Sequence, residues 1–201
     1  MLKSKNLTNY YPFEGNANDA VGGNNFTVSG ATLEAGKIGQ GYNFDGVNDY
    51  ISSSNAINMG SNTSLCMWID FSSPNNGINY FIGNNSQPYG IRYTPGSPGS
   101  VLFFTGGSAG SYKELEYDFP AYRVHLTMIR TTTRNVDWYI NAVKIGSNDP
   151  GTNTVQSIRA FGRRVSSTPY YAKCKMDEIA FFNEALSIPN IKRVMLGLHP
   201  L

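Results

Sequence analysis

Hydrophobic and polar residues alternate in short runs along this chain, and residues that favour turns separate the runs. A period of two is typical of half-buried strands, and its recurrence at short intervals predicts an antiparallel β-sandwich. Twelve runs fit a strand: Asn25–Gly30, Gly41–Phe44, Tyr50–Ser53, Ser64–Phe71, Asn79–Ile82, Tyr89–Tyr93, Val101–Thr105, Glu114–Phe119, Val124–Arg130, Val136–Ile140, Ile158–Gly162 and Ala172–Phe182.

One helix is predicted near the C-terminus. Ser187 can cap it, Pro189 suits its first turn and Gly197 can end it. The apolar residues of this segment recur at helical spacing and predict one buried face, formed by Ile188, Ile191, Val194 and Met195. The predicted fold is therefore all-β, a two-sheet antiparallel sandwich with one short C-terminal helix, and residues 1–201 form a single domain.

Composition excludes several classes of function. The chain has 201 residues, a net charge of +2 and only 15% charged residues. No basic run exceeds a pair, which argues against nucleic acid binding. No apolar stretch approaches the roughly 18 residues that cross a bilayer, so we expect no membrane insertion. The first nine residues lack the apolar core of a secretion signal. Cys66 and Cys174 lie far apart and are either a disulfide or two buried thiols.

Several segments, taken in order, resemble the jelly-roll domains of the laminin-G-like (concanavalin A-like lectin/glucanase) family. They are Tyr11–Asp19, Gly36–Gly39, Tyr42–Ile51, Thr63–Ile69, Val136–Asn141, Phe161–Arg164 and Met176–Ser187. The resemblance implies a jelly roll, in agreement with the strand pattern. Phe44, Tyr50 and Trp68 are large enough to be expected in the core between the sheets.

The resemblance also implies one Ca²⁺ ion. Family members hold calcium between an early Asn-Asp loop and a late Asp-Glu strand, which correspond to Asp19 and Asp177 here. Calcium takes six to eight oxygen ligands, and a loop rich in Asn and Gly can supply carbonyl oxygens. The alternative is that Asp19 caps a turn through its own backbone and that Asp177 belongs to the hydrogen bonds of a strand.

A carboxylate-rich strand is the best candidate for catalysis. Alternation places Glu114, Glu116 and Asp118 on one face, and some glucanases of the superfamily use such a strand. The flanking residues differ from that motif, and charges on an edge strand also deter aggregation. His125 lies within a predicted strand and His199 in the terminal tail, and neither has a partner nucleophile. We therefore expect no catalytic residue.

Aromatic residues crowd the middle of the chain around one arginine. From this cluster we predict ligand-binding residues Tyr89, Arg92, Tyr93 and Tyr112, because aromatic faces and arginine bind sugars and anchor protein interfaces. The alternative is that these tyrosines pack inside the sandwich.

The sequence thus predicts a non-catalytic binding or adhesion module. An adhesive fold without a secretion signal suits a bacteriophage virion, as a capsid decoration or tail adhesion protein on the virion surface. Its partners would be a capsid or tail protein, a glycan, or both. The alternative is a free, extracellular carbohydrate-binding lectin, and a third hypothesis is a glycoside hydrolase.

Overall fold

The computed structural model describes most of the 201 residues. The described residues are 6–71, 74, 76–84, 89–96, 100–105, 115–132, 135–149, 156–164 and 169–198. For residues 89, 100–105, 132 and 156 the backbone alone is described.

Within these ranges the chain forms 17 strands and one helix. The first nine strands are β1 (Leu7–Tyr11), β2 (Thr27–Ser29), β3 (Thr32–Ala35), β4 (Gln40–Asp45), β5 (Tyr50–Met59), β6 (Thr63–Asp70), β7 (Asn79–Gly83), β8 (Tyr89–Thr94) and β9 (Ser100–Thr105). The others are β10 (Leu115–Glu116), β11 (Arg123–Thr132), β12 (Asn135–Ile140), β13 (Val143–Asn148), β14 (Gln156–Phe161), β15 (Arg163–Arg164), β16 (Tyr170–Tyr171) and β17 (Lys173–Phe182), and the helix is α1 (Ile188–Met195).

Two antiparallel sheets face each other across the core. The larger has the order β13-β12-β11-β6-β17-β4-β3, with β1 paired to β17, and the smaller has the order β10-β9-β8-β7-β14-β5-β2. Strands β15 and β16 form a separate short hairpin. This arrangement confirms the predicted two-sheet jelly roll with one short helix.

The central strand β6 shows how the sequence sets the layers. Leu65, Met67 and Ile69 point into the core between the sheets, while Cys66 belongs to a second apolar cluster outside it. The second cluster lies beneath α1, so β6 is buried on both faces. Among the predicted core residues, Phe44 is fully buried and confirms its prediction.

Two predicted core positions are wrong. Trp68 is buried, but it lies on the face of β6 that also carries Cys66, where its ring contacts His125. Trp68 and Cys66 are two positions apart on β6, so they lie on the same face. Helix α1 covers this face and shields Trp68 from solvent. Tyr50 is half-buried and stacks under Arg163 instead of entering the core.

The helix begins and ends close to its predicted bounds. Ile191 and Val194 are buried against the large sheet, whereas Ile188 is 47% exposed, so its predicted burial is wrong. Ser187 occupies the N-cap without a hydrogen bond from its side chain, and Pro189 lies in the first turn. No helix in the part of the chain that the structure describes is long and apolar enough to cross a membrane.

Candidate functional site

Arginines and tyrosines gather on the outer face of the small sheet, where the β15–β16 hairpin crosses β7. The Arg164 guanidinium carbon lies 5.4 Å from the ring centroid of Tyr80 and 5.6 Å from that of Tyr170. Its Nη1 also donates to the Tyr80 hydroxyl at 3.3 Å. Next to it, the Arg163 guanidinium lies 3.4 Å from the ring centroid of Tyr50. We call Tyr50, Tyr80, Arg163, Arg164 and Tyr170 the arginine–tyrosine cluster.

Two glycines allow the hairpin to lie this close to the sheet. A Cβ atom at Gly83 in β7 would collide with the carbonyl oxygen of Arg163. Gly162, which joins β14 to β15, has φ +79°, and a Cβ atom there would collide with the ring of Phe44. The absence of side chains at Gly83 and Gly162 therefore lets the hairpin place both arginines over the tyrosine rings.

The positive charges of the cluster have no carboxylate partner among the described residues. In the described residues, neither Arg163 nor Arg164 forms an ion pair with a carboxylate, and the Nε atoms of both are buried without a hydrogen-bond partner. Hydrogen bonding with Ser29 and the charge of Arg163 lower the pKa of Tyr50. Tyr80 is buried and accepts a hydrogen bond from Arg164 Nη1, whereas Tyr50, Tyr170 and both arginines are half-buried. The accessible parts of the cluster are therefore the outer guanidinium N–H groups and the rings of Tyr50 and Tyr170, which suit hydroxyl or carboxylate oxygens beside a flat apolar face.

The predicted ligand-binding residues are divided by the structure. Arg92 is the cross-strand partner of Tyr80 and so shares the outer face with the cluster. Tyr93 lies on the opposite face and is buried in the core, 4.9 Å from Phe119 between ring centroids. This placement favours the packing alternative for Tyr93. The side chain of Tyr89 and all of Tyr112 lie outside the described residues.

Sequence reasoning did not assign a binding role to Arg163, Arg164 or Tyr170. The adjacent arginines and the Tyr170-Tyr171 pair were visible, and hairpin pairing brings Arg164 opposite Tyr170. Tyr80, however, is 84 positions from Arg164. Only the fold brings these two residues together.

Asp19, one of the two predicted calcium ligands, holds the loop after β1 together. Its two oxygens accept five hydrogen bonds, from the backbone N–H groups of Tyr10, Val21, Gly22 and Asn24 and from the side chain of Asn9. These five N–H groups occupy the positions around the carboxylate oxygens. The geometry is that of the turn-capping alternative.

Asp177, the other predicted ligand, serves a different loop. Its Oδ2 accepts hydrogen bonds from the backbone N–H groups of Lys37 and Ile38, at 2.6 and 3.1 Å, and burial raises its pKa. The next residue, Glu178, sits at a bulge of β17 with φ 54°. Tyr10 donates a 2.6 Å hydrogen bond to Glu178, whose pKa burial raises to about 7.

Backbone N–H groups donate to both predicted calcium ligands, while the Oδ1 of Asp177 is buried without a hydrogen-bond partner among the described residues. Among the described residues, no group of three or more carboxylate, imidazole or thiol side chains is arranged to hold a metal ion. Calcium binding at Asp19 and Asp177 stays a prediction, and a cation there would have to displace several backbone donors.

The candidate catalytic carboxylates are exposed where they are described. Glu116 ends the short strand β10 and Asp118 follows it outside any strand, while Glu114 lies outside the described residues. His125 is buried next to Trp68, and burial lowers its pKa to about 3. The two cysteines are buried free thiols.

The two facing antiparallel sheets are those of a jelly roll. The chain belongs to the concanavalin A-like lectin/glucanases superfamily, whose laminin G family model matches residues 45–192. Among curated proteins, no sequence is similar enough to count as a relative.

Solved structures share the fold at low sequence identity. Domain 4 of an extracellular arabinanase from Geobacillus stearothermophilus, in complex with arabinotriose, has a TM-score of 0.71 at 19% identity, covering 94% of this chain and 98% of that one. The binding domain of botulinum neurotoxin serotype D has a TM-score of 0.69 at 16% identity, covering 96% of this chain and 51% of that one. The binding domain of Paraclostridial Mosquitocidal Protein 1 has a TM-score of 0.67 at 14% identity, covering 94% and 52%. This chain thus spans about half the length of the toxin binding domains.

Proposed function

We propose that the protein is a non-catalytic binding and adhesion module that holds a glycan at the arginine–tyrosine cluster. The observation that carries this proposal is a pair of guanidinium groups that lie over tyrosine rings and have no carboxylate partner among the described residues. Sugar rings pack their C–H faces on aromatic side chains, and guanidinium N–H groups donate to hydroxyl or carboxylate oxygens.

The comparisons support a binding role without naming a ligand for this chain. The arabinanase domain was solved with an arabinose trisaccharide, and the toxin domains are binding domains. The shared architecture makes a glycan a reasonable ligand class, while the residues that would contact it are this chain's own.

A glycan array followed by calorimetry tests the proposal. We expect selective binding to a set of glycans, and we expect Arg164→Ala and Tyr170→Ala each to weaken it about five- to thirtyfold, which corresponds to the loss of one hydrogen-bonding or stacking contact with the glycan. Lys192→Ala, on the opposite side of the sandwich, should bind as the wild type does. The proposal fails if no glycan binds, with or without Ca²⁺, or if both cluster variants bind unchanged while remaining folded.

A second part of the proposal concerns where the protein is located. We infer a component of the bacteriophage virion surface, a capsid decoration or tail adhesion protein, with a capsid or tail protein as its second partner. The alternative is a free extracellular lectin. The size and composition of native material decide between them: a fixed copy number in a large particle supports the virion, and a free monomer supports the lectin.

The absence of catalysis is also a proposal. Glycans bound by the protein should be recovered intact, without release of reducing ends after prolonged incubation. If a glycan is cleaved, and Glu116→Gln or Asp118→Asn abolishes the cleavage, then the glycoside hydrolase hypothesis replaces this one.

A further inference from the structure

A pocket lies on the other side of the sandwich, between the C-terminal half of α1, the loop before β4 and the face of β6 that is turned away from the core. Its volume is about 350 Å³, and it is lined by Lys37, Trp68, Lys192, Met195 and Leu196. This volume is at the lower end of the range for small-molecule sites.

Three of the five residues that line the pocket have apolar side chains, and further exposed apolar residues lie near it in the chain. Leu196 is 72% exposed, Leu198 is 51% exposed and Ile38 is 39% exposed. Ile38 lies against the end of the helix, since a Cβ atom at Gly197 would be 2.7 Å from its Cδ1. Contiguous exposed apolar side chains beside a pocket are a feature of binding sites.

Two cations border this apolar surface. The Lys37 ammonium lies 4.6 Å from the ring centroid of Trp68, and Lys192 is exposed on α1. Across the described ranges, neither lysine forms an ion pair with a carboxylate. An anion that enters the pocket therefore meets two cations without having to displace another carboxylate.

Trp68 lines the pocket and carries the reporter group for a binding test. Its indole Nε1 is buried and has no hydrogen-bond acceptor in the part of the chain that the structure describes. A buried N–H group without an acceptor is costly, and such groups in native proteins call for an explanation. Because this N–H group is closed off from solvent, we assign the ligand no hydrogen bond to it; the ring of Trp68 lines the pocket, so a bound ligand alters the surroundings of the indole.

We propose that this pocket binds a small anion with a flat apolar body, of the class of aromatic or alicyclic carboxylates. The carboxylate pairs with Lys37 and Lys192, while the body packs on Trp68, Met195 and Leu196. A neutral sugar fits less well, because the apolar walls offer few partners for its hydroxyl groups. The site is independent of the arginine–tyrosine cluster, which lies on the opposite sheet.

Indole N–H resonances in ¹⁵N NMR spectra of the full chain test the proposal. The chain has two tryptophans, and Trp138 serves as an internal control because it is buried and its Nε1 donates to Asn148 at 2.6 Å. Trp138→Phe and Trp68→Phe assign the two signals, and one folded variant is sufficient. The probes are naphthalene-2-carboxylate and the neutral naphthalene-2-carboxamide, which has nearly the same shape.

We expect the carboxylate to shift the Trp68 signal with saturation and to leave the Trp138 signal in place. The carboxamide should bind about tenfold more weakly, and Lys37→Ala and Lys192→Ala should each weaken the carboxylate about three- to tenfold. Lys173→Ala, which removes an exposed lysine from β17, should bind as the wild type does. Arg164→Ala should do the same, so a failed glycan site and a failed pocket are distinguishable.

Three outcomes overturn the proposal. The first is an unmoved Trp68 signal at millimolar carboxylate. The second is equal affinity for the carboxylate and the carboxamide, with no loss in the lysine variants. The third is a shift of both indole signals, which indicates a change of the whole protein instead of binding at this pocket.

Discussion

The imidazole of His125 lies edge-on to the indole of Trp68, with 5.3 Å between the ring centroids and 69° between the planes. The two residues are cross-strand partners of β11 and β6, on the face that is turned away from the core. The Nδ1 of His125 lies 3.3 Å from the Thr127 hydroxyl, and its Nε2 is buried with no hydrogen-bond partner among the residues that the structure describes. The fold therefore stabilises the neutral imidazole.

This environment predicts a loss of stability in acid. Burial lowers the pKa of His125 from 6.5 to about 3, so between these values the unfolded chain binds the proton that the folded protein excludes. The stability that His125 contributes is complete above pH 6.5 and falls as the pH decreases toward 3. The loss is on the order of 4 kcal/mol.

Urea unfolding of the wild type and of His125→Phe between pH 3 and 8 isolates this effect. The variant keeps a planar ring without a titrating group, so its free energy of unfolding should fall less steeply in acid than that of the wild type. Parallel curves would contradict the prediction, because carboxylates elsewhere contribute equally to both proteins.

The sequence predicted the sandwich better than it predicted which face of each strand meets the core. Strand β6 is buried on both faces, because α1 covers the outer one, and alternation alone could not assign Trp68 to that side. Five strands were not predicted: β1, β3, β13 and the two short strands of the β15–β16 hairpin. Of these, β13 is an edge strand with both faces largely exposed, so it carries no hydrophobic alternation.

The turn between β12 and β13 shows a related gap between sequence and structure. Asn141 and Ala142 have φ values of 50° and 63°, as in a turn that usually carries Asn-Gly. An alanine at this position gives a weak turn signal in the sequence. The arginine–tyrosine cluster was missed for a similar reason, since Tyr80 and Arg164 meet only through long-range packing.

Gly162 should be essential for the position of the β15–β16 hairpin. Gly162→Ala places a side chain at φ +79° and drives it into the Phe44 ring, so we expect the free energy of unfolding to fall by about 3 kcal/mol. Glycan affinity should fall as well, because the hairpin carries Arg163 and Arg164. Thermal unfolding and calorimetry measure the two effects, and Gly77→Ala, at a site with open space around it, is the matched control. Equal stability of the two variants would contradict this account.

Substitution of Asp19 tests whether its carboxylate has only a structural role or also binds calcium. Asp19→Ala removes the acceptor of five N–H groups, and we expect a loss of about 3 to 5 kcal/mol in stability. If Asp19 acts only as a turn cap, this loss is the same in EDTA and in millimolar Ca²⁺. A melting temperature of the wild type that rises with Ca²⁺, and no longer does so in Asp19→Ala, would instead support the calcium site implied by the family resemblance.

The contribution of Glu178 to stability should depend on pH in the opposite direction to that of His125. Burial raises its pKa from 4.5 to about 7, so the folded protein holds a proton there that the unfolded chain has lost. The stability that Glu178 contributes is complete below pH 4.5 and is lost as the pH rises toward 7.

Glutamine resembles the protonated side chain, so Glu178→Gln should be more stable than the wild type at alkaline pH, by on the order of 2 kcal/mol after allowance for solvent screening. Below pH 4.5 the two proteins should be equally stable. Denaturant unfolding across this range measures the difference, with Glu116→Gln as the exposed control, and a difference that does not change with pH would show that the charge of Glu178 is not its cause.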